Sequence, residues 1–222
     1  MIIEVLPVGA LQCNCVVLGD PESRSALIID PGDEAGKILD LLERRGWRAQ
    51  MIFQTHAHLD HVGATGEVQR AVECDVALHP GDRFLHENLE TQAQWLGVPP
   101  PPAVPWTVEL EAGQSISVGP HTGKVLHTPG HSPGSVCLYF PDAVPTEESE
   151  ESRDRRPLLV AGDLLFMGSI GRTDLWGGSM DELTRSLHEQ ILPLPDETFV
   201  LPGHGPATTM ANEKRWNPFL RT

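Results

Sequence analysis

The stretch THAHLDH, residues 55–61, decides how the rest of the chain is interpreted. It follows a short apolar run that predicts a buried strand. Imidazole and carboxylate side chains are ligands that suit zinc, iron or manganese. Alternating spacing places His56 and His58 on one side of the loop, and Asp60 and His61 can then reach a second point nearby. The motif predicts a loop that contributes to binding two metal ions.

One loop cannot complete two coordination spheres, so further ligands should follow later strands. Three motifs do follow predicted strands, and each carries one candidate ligand. They are TPGHSPGS (128–135) with His131, AGD (161–163) with Asp163, and LPGHG (201–205) with His204. Loops at strand ends converge on a shared edge, where sites are usually built. We expect these side chains to join those of the first loop, with the carboxylate of Asp163 able to bridge two cations.

The pattern of apolar runs and turn formers predicts two strand-rich halves, each carrying helices. Predicted strands cover residues 2–6, 15–18, 26–29, 51–54, 76–78, 107–110, 115–118, 124–127, 136–140, 158–161 and 198–201. Predicted helices cover residues 34–45, 63–73, 82–96 and 180–190. Such an α/β (α+β) pattern favours two sheets packed face to face with helices outside. We expect one domain over residues 1–222, with a charged, mobile insertion at residues 142–157.

Composition limits the partners. The chain has 16 Lys and Arg against 31 Asp and Glu, a net charge of −15, which argues against nucleic acid or an anionic membrane as a partner. No signal segment or 18-residue apolar stretch is evident, and four Cys are too few for a disulfide scaffold. A cytoplasmic protein is therefore expected. Cys13 and Cys15 share one face of a predicted strand, where core packing is favoured over a ligand role.

These motifs, in this order along nearly the whole chain, resemble those of the metallo-β-lactamase superfamily. The resemblance implies a four-layer αββα sandwich and two divalent metal ions per chain, with zinc favoured over iron or manganese. It also implies a hydroxide shared by the metals as the nucleophile. By resemblance, the first metal is held by His56, His58 and His131, the second by Asp60, His61 and His204, and Asp163 bridges them.

Within that superfamily the chain is similar to short bacterial glyoxalase II (hydroxyacylglutathione hydrolase-like) proteins. The similarity lies in GDLLFMGSIGRTDLWGG (162–178) and NEKRWNPFLR (212–221). It implies hydrolysis of the small-molecule thioester S-lactoylglutathione to D-lactate and glutathione. The long form of the family inserts helices between the LPGHG and NPF segments, which this sequence lacks. Arg172, Lys214 and Arg215 are then the cations left to bind the anionic thiol carrier.

The chemistry of the leaving group also favours thioesters. Thiol pKa values lie near 8.5, so a departing thiolate needs little protonation, whereas an amide nitrogen needs a general acid. No separate general acid stands out in the sequence. Asp60 is the candidate catalytic residue, since its carboxylate could shuttle a proton in addition to binding metal.

Other functions remain open. Persulfide dioxygenases share several of these motifs and use one iron, for which His56, His131 and Asp163 would be the ligands. A lactone or ester hydrolase of the same fold is a further alternative, as is a binding module with structural metals. A β-lactamase is disfavoured, because those enzymes are exported and usually lack a bridging carboxylate. His79, His86, His121 and His188 have no spaced partner, and His127 is expected to pack or to support a ligand.

Overall fold

Apolar runs of the first half form one six-stranded sheet. Its strands are Ile2–Val8 (β1), Cys13–Gly19 (β2), Ser25–Ile29 (β3), Arg48–Phe53 (β4), Asp75–Leu78 (β5) and Val108–Glu109 (β6). They lie in sequence order; β1 to β3 form an antiparallel meander, and β3 to β6 run parallel. The structure is a computed structural model that describes residues 1–102, 104–145 and 155–220.

The second half forms a second six-stranded sheet and a small hairpin. Its strands are Ser115–Val118 (β7), His121–His127 (β8), Val136–Pro145 (β9), Arg155–Gly162 (β10), Leu165–Phe166 (β11), Ser169–Ile170 (β12), Phe199–Pro202 (β13) and Thr208–Thr209 (β14). The sheet has the order β14-β13-β10-β9-β8-β7, and β11 pairs with β12 outside it. Only β10 and β13 are parallel within this described sheet.

Amphipathic segments between the strands form the helices. These are Ala35–Arg45 (α1), Leu59–Val62 (α2), Thr65–Val72 (α3), Arg83–Glu87 (α4), Leu89–Leu96 (α5), Met180–Ser186 (α6) and Met210–Trp216 (α7). A 3-10 turn, Pro80–Asp82, precedes α4, and a π-helical turn, Leu187–Ile191, continues α6. No helix of the described residues is long and apolar enough to cross a bilayer.

The apolar core explains how these elements stack. A central cluster that includes the fully buried Phe53 and Phe140 joins the inner faces of the two sheets. A second cluster packs Ile38 and its neighbours on α1 against the outer face of the first sheet. A third cluster packs Leu183 of α6 against the outer face of the second sheet. Cys13 and Cys15 belong to the second cluster, as expected for core thiols. The four-layer αββα prediction is confirmed.

Some predicted boundaries differ from the structure. The predicted helix over residues 82–96 is broken into α4 and α5 at Asn88, whose side-chain amide donates to the carbonyl of Phe84 instead of continuing the helix. Part of the His-rich loop forms the short helix α2, and the hairpin β11–β12 was not predicted. Strands β9 and β10 extend into the expected insertion at 142–157, so the loop prediction is wrong for residues 142–145 and 155–157. Residues 146–154 lie outside the described residues.

Asn14 on β2 links the first sheet to the second. Its side-chain amide donates to the carbonyls of Pro202 (3.0 Å) and Gly205 (2.9 Å), and its backbone N–H donates to the carbonyl of Gly203 (2.7 Å). The opening hairpin is thereby attached to the LPGHG loop that ends β13.

We expect Asn14→Ala to lower the free energy of unfolding by about 1–3 kcal/mol, because two carbonyls lose their donors at a buried position. Urea denaturation followed by circular dichroism measures the loss. Ser117→Ala, on an exposed face of β7, should change stability by no more than about 0.5 kcal/mol. Equal effects of the two changes would contradict a linking role for Asn14.

Candidate metal centre

Four loops that follow strands meet at one edge of the two sheets. The THAHLDH loop follows β4, and the loops after β8, β10 and β13 carry His131, Asp163 and His204. Strands that run in the same direction within a sheet end at the same edge, so the loops that follow them lie close together. The structure thus brings together all seven side chains that the sequence singled out as metal ligands: His56, His58, Asp60, His61, His131, Asp163 and His204.

The first group of side chains consists of His56, His58 and His131. His58 Nδ1 lies 2.9 Å from His131 Nε2, and the ring of His56 has its centroid 4.8 Å from each of the other two. All three are buried, and their nitrogens lie within 4.8 Å of one another. Two imidazole nitrogens that face each other so closely are arranged for a shared cation or a shared proton.

The second group consists of Asp60, His61 and His204. His204 Nε2 lies 3.2 Å from His61 Nε2 and 3.2 Å from Asp60 Oδ2. His61 is fully buried, whereas Asp60 and His204 retain partial exposure toward a cavity. Two nitrogens and one carboxylate oxygen therefore point at a second common position.

Asp163 lies between the two groups. Its Oδ2 is 3.6 Å from His131 Nε2 and 3.7 Å from His204 Nε2, and its Oδ1 is 3.4 Å from His61 Nε2. One carboxylate thus faces the ligand nitrogens of both groups, as a bridge between two cations requires.

Hydrogen bonds to the far nitrogens orient the imidazoles. His131 Nδ1 donates to the carbonyl of Arg172 (2.7 Å) and His204 Nδ1 to that of Leu11 (3.0 Å), since a carbonyl can only accept. His61 Nδ1 lies 2.9 Å from Asp30 Oδ2. Each bond leaves Nε2 turned toward the centre, which is how ligating histidines are usually held.

The residues present fit two divalent cations. His56 Nε2 and Asp163 Oδ1 are buried and lack a hydrogen-bond partner among the described residues, which is costly unless something else satisfies them. A donor set of imidazoles and carboxylates suits zinc, iron or manganese. Asp30 also lies near His56 and His61, but both of its oxygens already accept a hydrogen bond, from the Thr55 N–H (2.7 Å) and from the Thr55 hydroxyl (2.6 Å).

Electrostatics differ between the two groups. Burial and the neighbouring imidazoles hold the pKa of His56 well below its usual value and lower that of His58 to about 3, so both are neutral and their lone pairs are available. Burial also opposes the charge on His61, but Cys13 and the carboxylates of Asp163 and Asp60 outweigh it and raise its pKa. A cation entering the second group would replace the proton that these carboxylates otherwise attract.

Two buried acids that the sequence interpretation missed hold the ligand loops. Asp82 accepts from the N–H groups of Ala57 (2.9 Å) and Gly134 (2.5 Å) and from the Ser132 hydroxyl (2.8 Å), so it joins the first ligand loop to the His131 loop. Asp30 orients His61, as described above. Asp30 directly follows β3 and precedes a Pro-Gly pair, a strand-end signal that could have identified it. Asp82 gives no comparable signal.

Gln92 on α5 also supports the first loop. Its side-chain oxygen accepts from the N–H of Leu59 (2.9 Å), and its amide donates to the carbonyls of Ala57 (3.1 Å) and Leu85 (2.9 Å). Both polar atoms of this buried amide therefore hold the backbone of Ala57 and Leu59, which lie between the ligands of the first loop.

A cavity of about 460 Å³ opens over the centre. Of the ligands, His58, Asp60, His131, Asp163 and His204 line it, together with leucine and tryptophan side chains. Arg172 lies at the exposed rim of the cavity and forms a bidentate ion pair with Asp174. Its Nε lies 2.7 Å from Asp174 Oδ1 and its Nη2 lies 2.8 Å from Asp174 Oδ2.

The other two predicted substrate cations lie elsewhere. Lys214 on α7 binds Asp196 (2.6 Å) and the carbonyl of Leu194 (2.7 Å), and the Arg215 guanidinium stacks 4.7 Å from the Trp216 ring. Neither lines the described cavity, so the structure does not bring them together with Arg172. The physical reason is that both residues lie on α7, which packs against β14 and does not line the cavity.

His79 and His127 form a stacked pair near the site, with ring centroids 4.1 Å apart. His127 Nε2 donates to the carbonyl of Pro133, and His79 Nδ1 accepts from the N–H of Gly81. Partial burial and the neighbouring His127 lower the pKa of His79 from 6.5 to about 4. His79 begins the turn that carries Asp82, so its protonation would disturb the hydrogen bonds by which Asp82 joins the two ligand loops.

A glycine makes the close approach between Asp163 and His61 possible. A Cβ at Gly203 would overlap Asp163 Oδ1 and lie 2.8 Å from His61 Cε1. We expect Gly203→Ala to reduce the metal content of the second group while the first remains loaded, because the methyl group displaces the bridging carboxylate and His61. Elemental analysis measures metal per chain, and Gly205→Ala, where a Cβ meets nothing within 4 Å although φ is +75°, controls for strain in the same loop. Full loading of Gly203→Ala would contradict the assignment.

The stacked pair predicts a pH effect on stability. Because the folded pKa of His79 lies below its unfolded value of 6.5, the unfolded chain takes up the proton first, and stability falls as pH decreases from 6.5 toward 4. We expect His79→Asn, which keeps an acceptor for Gly81, to flatten part of this decrease in melting temperature. His188→Asn, outside the pair, should keep the wild-type slope. An unchanged slope in His79→Asn would show that the pair does not titrate in this range.

Curated relatives align with nearly the whole chain. The probable metallo-hydrolase YqgX of Bacillus subtilis (strain 168) is 38% identical over 217 residues, 97% of this chain and 95% of its own. The hydroxyacylglutathione hydrolase GloC of Haemophilus influenzae (strain ATCC 51907 / DSM 11121 / KW20 / Rd) is 35% identical over 224 residues, 100% of this chain and 99% of its own.

Solved structures match the whole architecture. BLEG-1 B3 metallo-beta-lactamase superposes with a TM-score of 0.86 at 38% identity, covering all of both chains. TTHA1623 in a di-iron-bound form gives 0.83 at 41% identity, covering 98% of this chain and 100% of that one. ETHE1 from Myxococcus xanthus gives 0.77 at 27% identity, covering 98% and 84%.

Residues 8–144 match the family described as the Metallo-beta-lactamase superfamily. This match covers more than half of the chain and includes the first ligand loop and His131. Together with the full-length relatives and the two-sheet architecture, it establishes the family. The chain belongs to the metallo-β-lactamase superfamily.

Proposed function

We propose that this chain is a hydrolase of thioesters that works with two divalent cations, and that glutathione thioesters such as S-lactoylglutathione are its first candidate substrates. One observation carries the proposal: Asp163 is shared by two groups of metal-ligating side chains at the floor of a cavity of about 460 Å³. The similarity to GloC supports the choice of glutathione thioesters.

Each cation position is assigned to its own ligands. His56, His58 and His131 would hold the first cation, Asp60, His61 and His204 the second, and Asp163 both. Zinc is the favoured metal; the di-iron form of TTHA1623 makes iron the leading alternative, and manganese suits the same donors. Bound there, two divalent cations lower the pKa of a water molecule from about 15.7 to about 7 and polarise the scissile carbonyl.

The residues of the chain position the reactants. Asp82 and Gln92 fix the ligand loops, so the ligands need little rearrangement during turnover. The apolar side chains of the cavity wall lower the local dielectric constant and so strengthen electrostatic contacts at the floor. In the proposed reaction Asp60, which reaches the cavity surface, accepts a proton from the attacking water, and the thiolate departs unprotonated.

The composition of the cavity favours thioesters over amides. Outside the metal cluster, the described residues that line it are leucines, two tryptophans, Gln92 and Arg172, and none of these is a general acid at neutral pH. A thiolate leaves without one because the thiol pKa is near 8.5, whereas an amide nitrogen needs a proton.

Two alternatives each have an observation in their favour. BLEG-1, a B3 metallo-beta-lactamase, matches the full length at 38% identity, so β-lactam hydrolysis is the second candidate despite the expectation from the sequence. ETHE1 is a more distant match at 27% identity. A persulfide dioxygenase using one iron on His56, His131 and Asp163 would leave the equally close second group without a role. A cytoplasmic location remains part of the proposal, which the four buried, unpaired cysteines support.

Metal analysis and a substrate panel test the proposal. We expect about two metals per chain and hydrolysis of S-lactoylglutathione without oxygen uptake. In Asp163→Asn and His58→Ala, kcat/KM should fall by about two orders of magnitude or more, with folding checked by circular dichroism. His188→Ala, a matched histidine outside the site, should retain activity.

Three results would contradict the proposal. One iron per chain with oxygen uptake on glutathione persulfide would favour the dioxygenase. Faster turnover of a β-lactam than of any thioester would favour the second candidate. Unchanged thioester turnover in both variants would show that the clustered side chains are not the reactive centre.

A further inference from the structure

Two tryptophans form an aromatic wall beside the metal centre. The ring centroids of Trp95, at the end of α5, and Trp176 lie 4.0 Å apart at an interplanar angle of 70°, and Phe84 supports Trp176 at 5.3 Å. We use "aromatic wall" for Trp95 and Trp176, both of which line the cavity. An edge-to-face pair of this kind is a rigid surface that an apolar group can contact without ordering further side chains.

The wall and its surroundings expose an unusual amount of apolar surface. Trp95 is 56% exposed, Leu96 47% and Leu11 51%, and all three line the cavity. Single exposed apolar residues are common, but several grouped around one concave site are typical of a binding surface. Leu85 and Leu175 continue the apolar lining.

Charge at the cavity does little to attract an anion beyond the metal centre. Arg172 is the only Lys or Arg among the described residues that line the cavity. Its guanidinium already forms a bidentate ion pair with Asp174. An exposed pair of this kind contributes little to binding a third group. Recognition by contact area is therefore the stronger source of selectivity at this cavity.

The wall and the reactive centre share one cavity. His58, Asp60, His131, Asp163 and His204 line it together with Trp95 and Trp176, so a carbonyl held at the ligands leaves its substituent within the apolar chamber. A methyl group, as in a lactoyl thioester, would leave most of that chamber to water. A phenyl or branched alkyl group would cover it.

We infer that the cavity selects thioesters whose acyl group carries a bulky apolar substituent, aromatic or branched aliphatic, and that Trp95 and Trp176 set this preference. The inference rests on the proposed thioester hydrolysis for its activity test, but not for its binding test. It names the acyl half of the substrate as the half that the protein recognises.

A matched pair of substrates tests the preference. S-mandeloylglutathione differs from S-lactoylglutathione only in having phenyl in place of methyl. Since burial contributes roughly 25 cal/mol per Å² of apolar surface, we expect kcat/KM to be about tenfold or more higher for the mandeloyl thioester. Trp176→Ala should lower that ratio toward one, because the mandeloyl rate falls more than the lactoyl rate. Trp216→Ala, a tryptophan outside the cavity, should keep the wild-type ratio.

Binding of thioethers gives a readout that needs no turnover. S-hexylglutathione and S-methylglutathione place an apolar group where the acyl group would lie but cannot be hydrolysed. Calorimetry on the purified, metal-loaded protein should show about tenfold or tighter binding of the hexyl compound, lost in Trp176→Ala and kept in Trp216→Ala.

The two readouts separate the inference from the proposed function. Tighter hexyl binding that depends on Trp176, with no thioester turned over, would support the cavity assignment and contradict the hydrolase. Turnover of both thioesters with no preference for mandeloyl, and equal binding of the two thioethers, would overturn the inference and leave the hydrolase intact. A preference that Trp95→Ala and Trp176→Ala both leave unchanged would overturn the role of the wall.

Discussion

The electrostatic demand of the metal centre governs the architecture around it. Five imidazoles and two carboxylates lie within a few ångströms of one another, and most of them are buried. Like groups held so closely in a medium of low dielectric constant are unfavourable unless cations or protons compensate them. The lowered pKa values of His56 and His58 and the raised pKa of His61 reflect this burial and crowding. Asp30, Asp82 and Gln92 hold the ligand loops in place against this unfavourable crowding. Each side chain is buried and hydrogen-bonded to the backbone of those loops.

The ligands could be identified from the sequence because each belongs to a short motif at the end of an apolar run. Of the two supporting acids, Asp82 could not be identified in the same way. Asp82 contacts Ala57 and Gly134, which lie 25 and 52 positions away, and no local pattern encodes such contacts. The extension of β9 and β10 was missed for a related reason: charged residues there pair across the ladder, while their composition is typical of a loop. Cross-strand pairing overrode local propensity.

Proteins with different described activities share this fold and much of this sequence. BLEG-1, GloC and ETHE1 are described by different names, although all resemble the chain over most of its length. A fold alone therefore does not determine the substrate. In this chain the cavity wall carries Trp95, Trp176 and several leucines, which are available to set a substrate preference.

Leu11 and Arg172 each have two roles, one at the metal centre through the backbone carbonyl and one at the cavity through the side chain. Their backbone carbonyls orient His204 and His131, while their side chains line the cavity. Any amino acid supplies the same carbonyl, so the side chains at these two positions are free to vary without disturbing the ligands. Evolution, or a protein engineer, can therefore exchange the surface that meets the substrate while the chemistry beneath it is inherited intact.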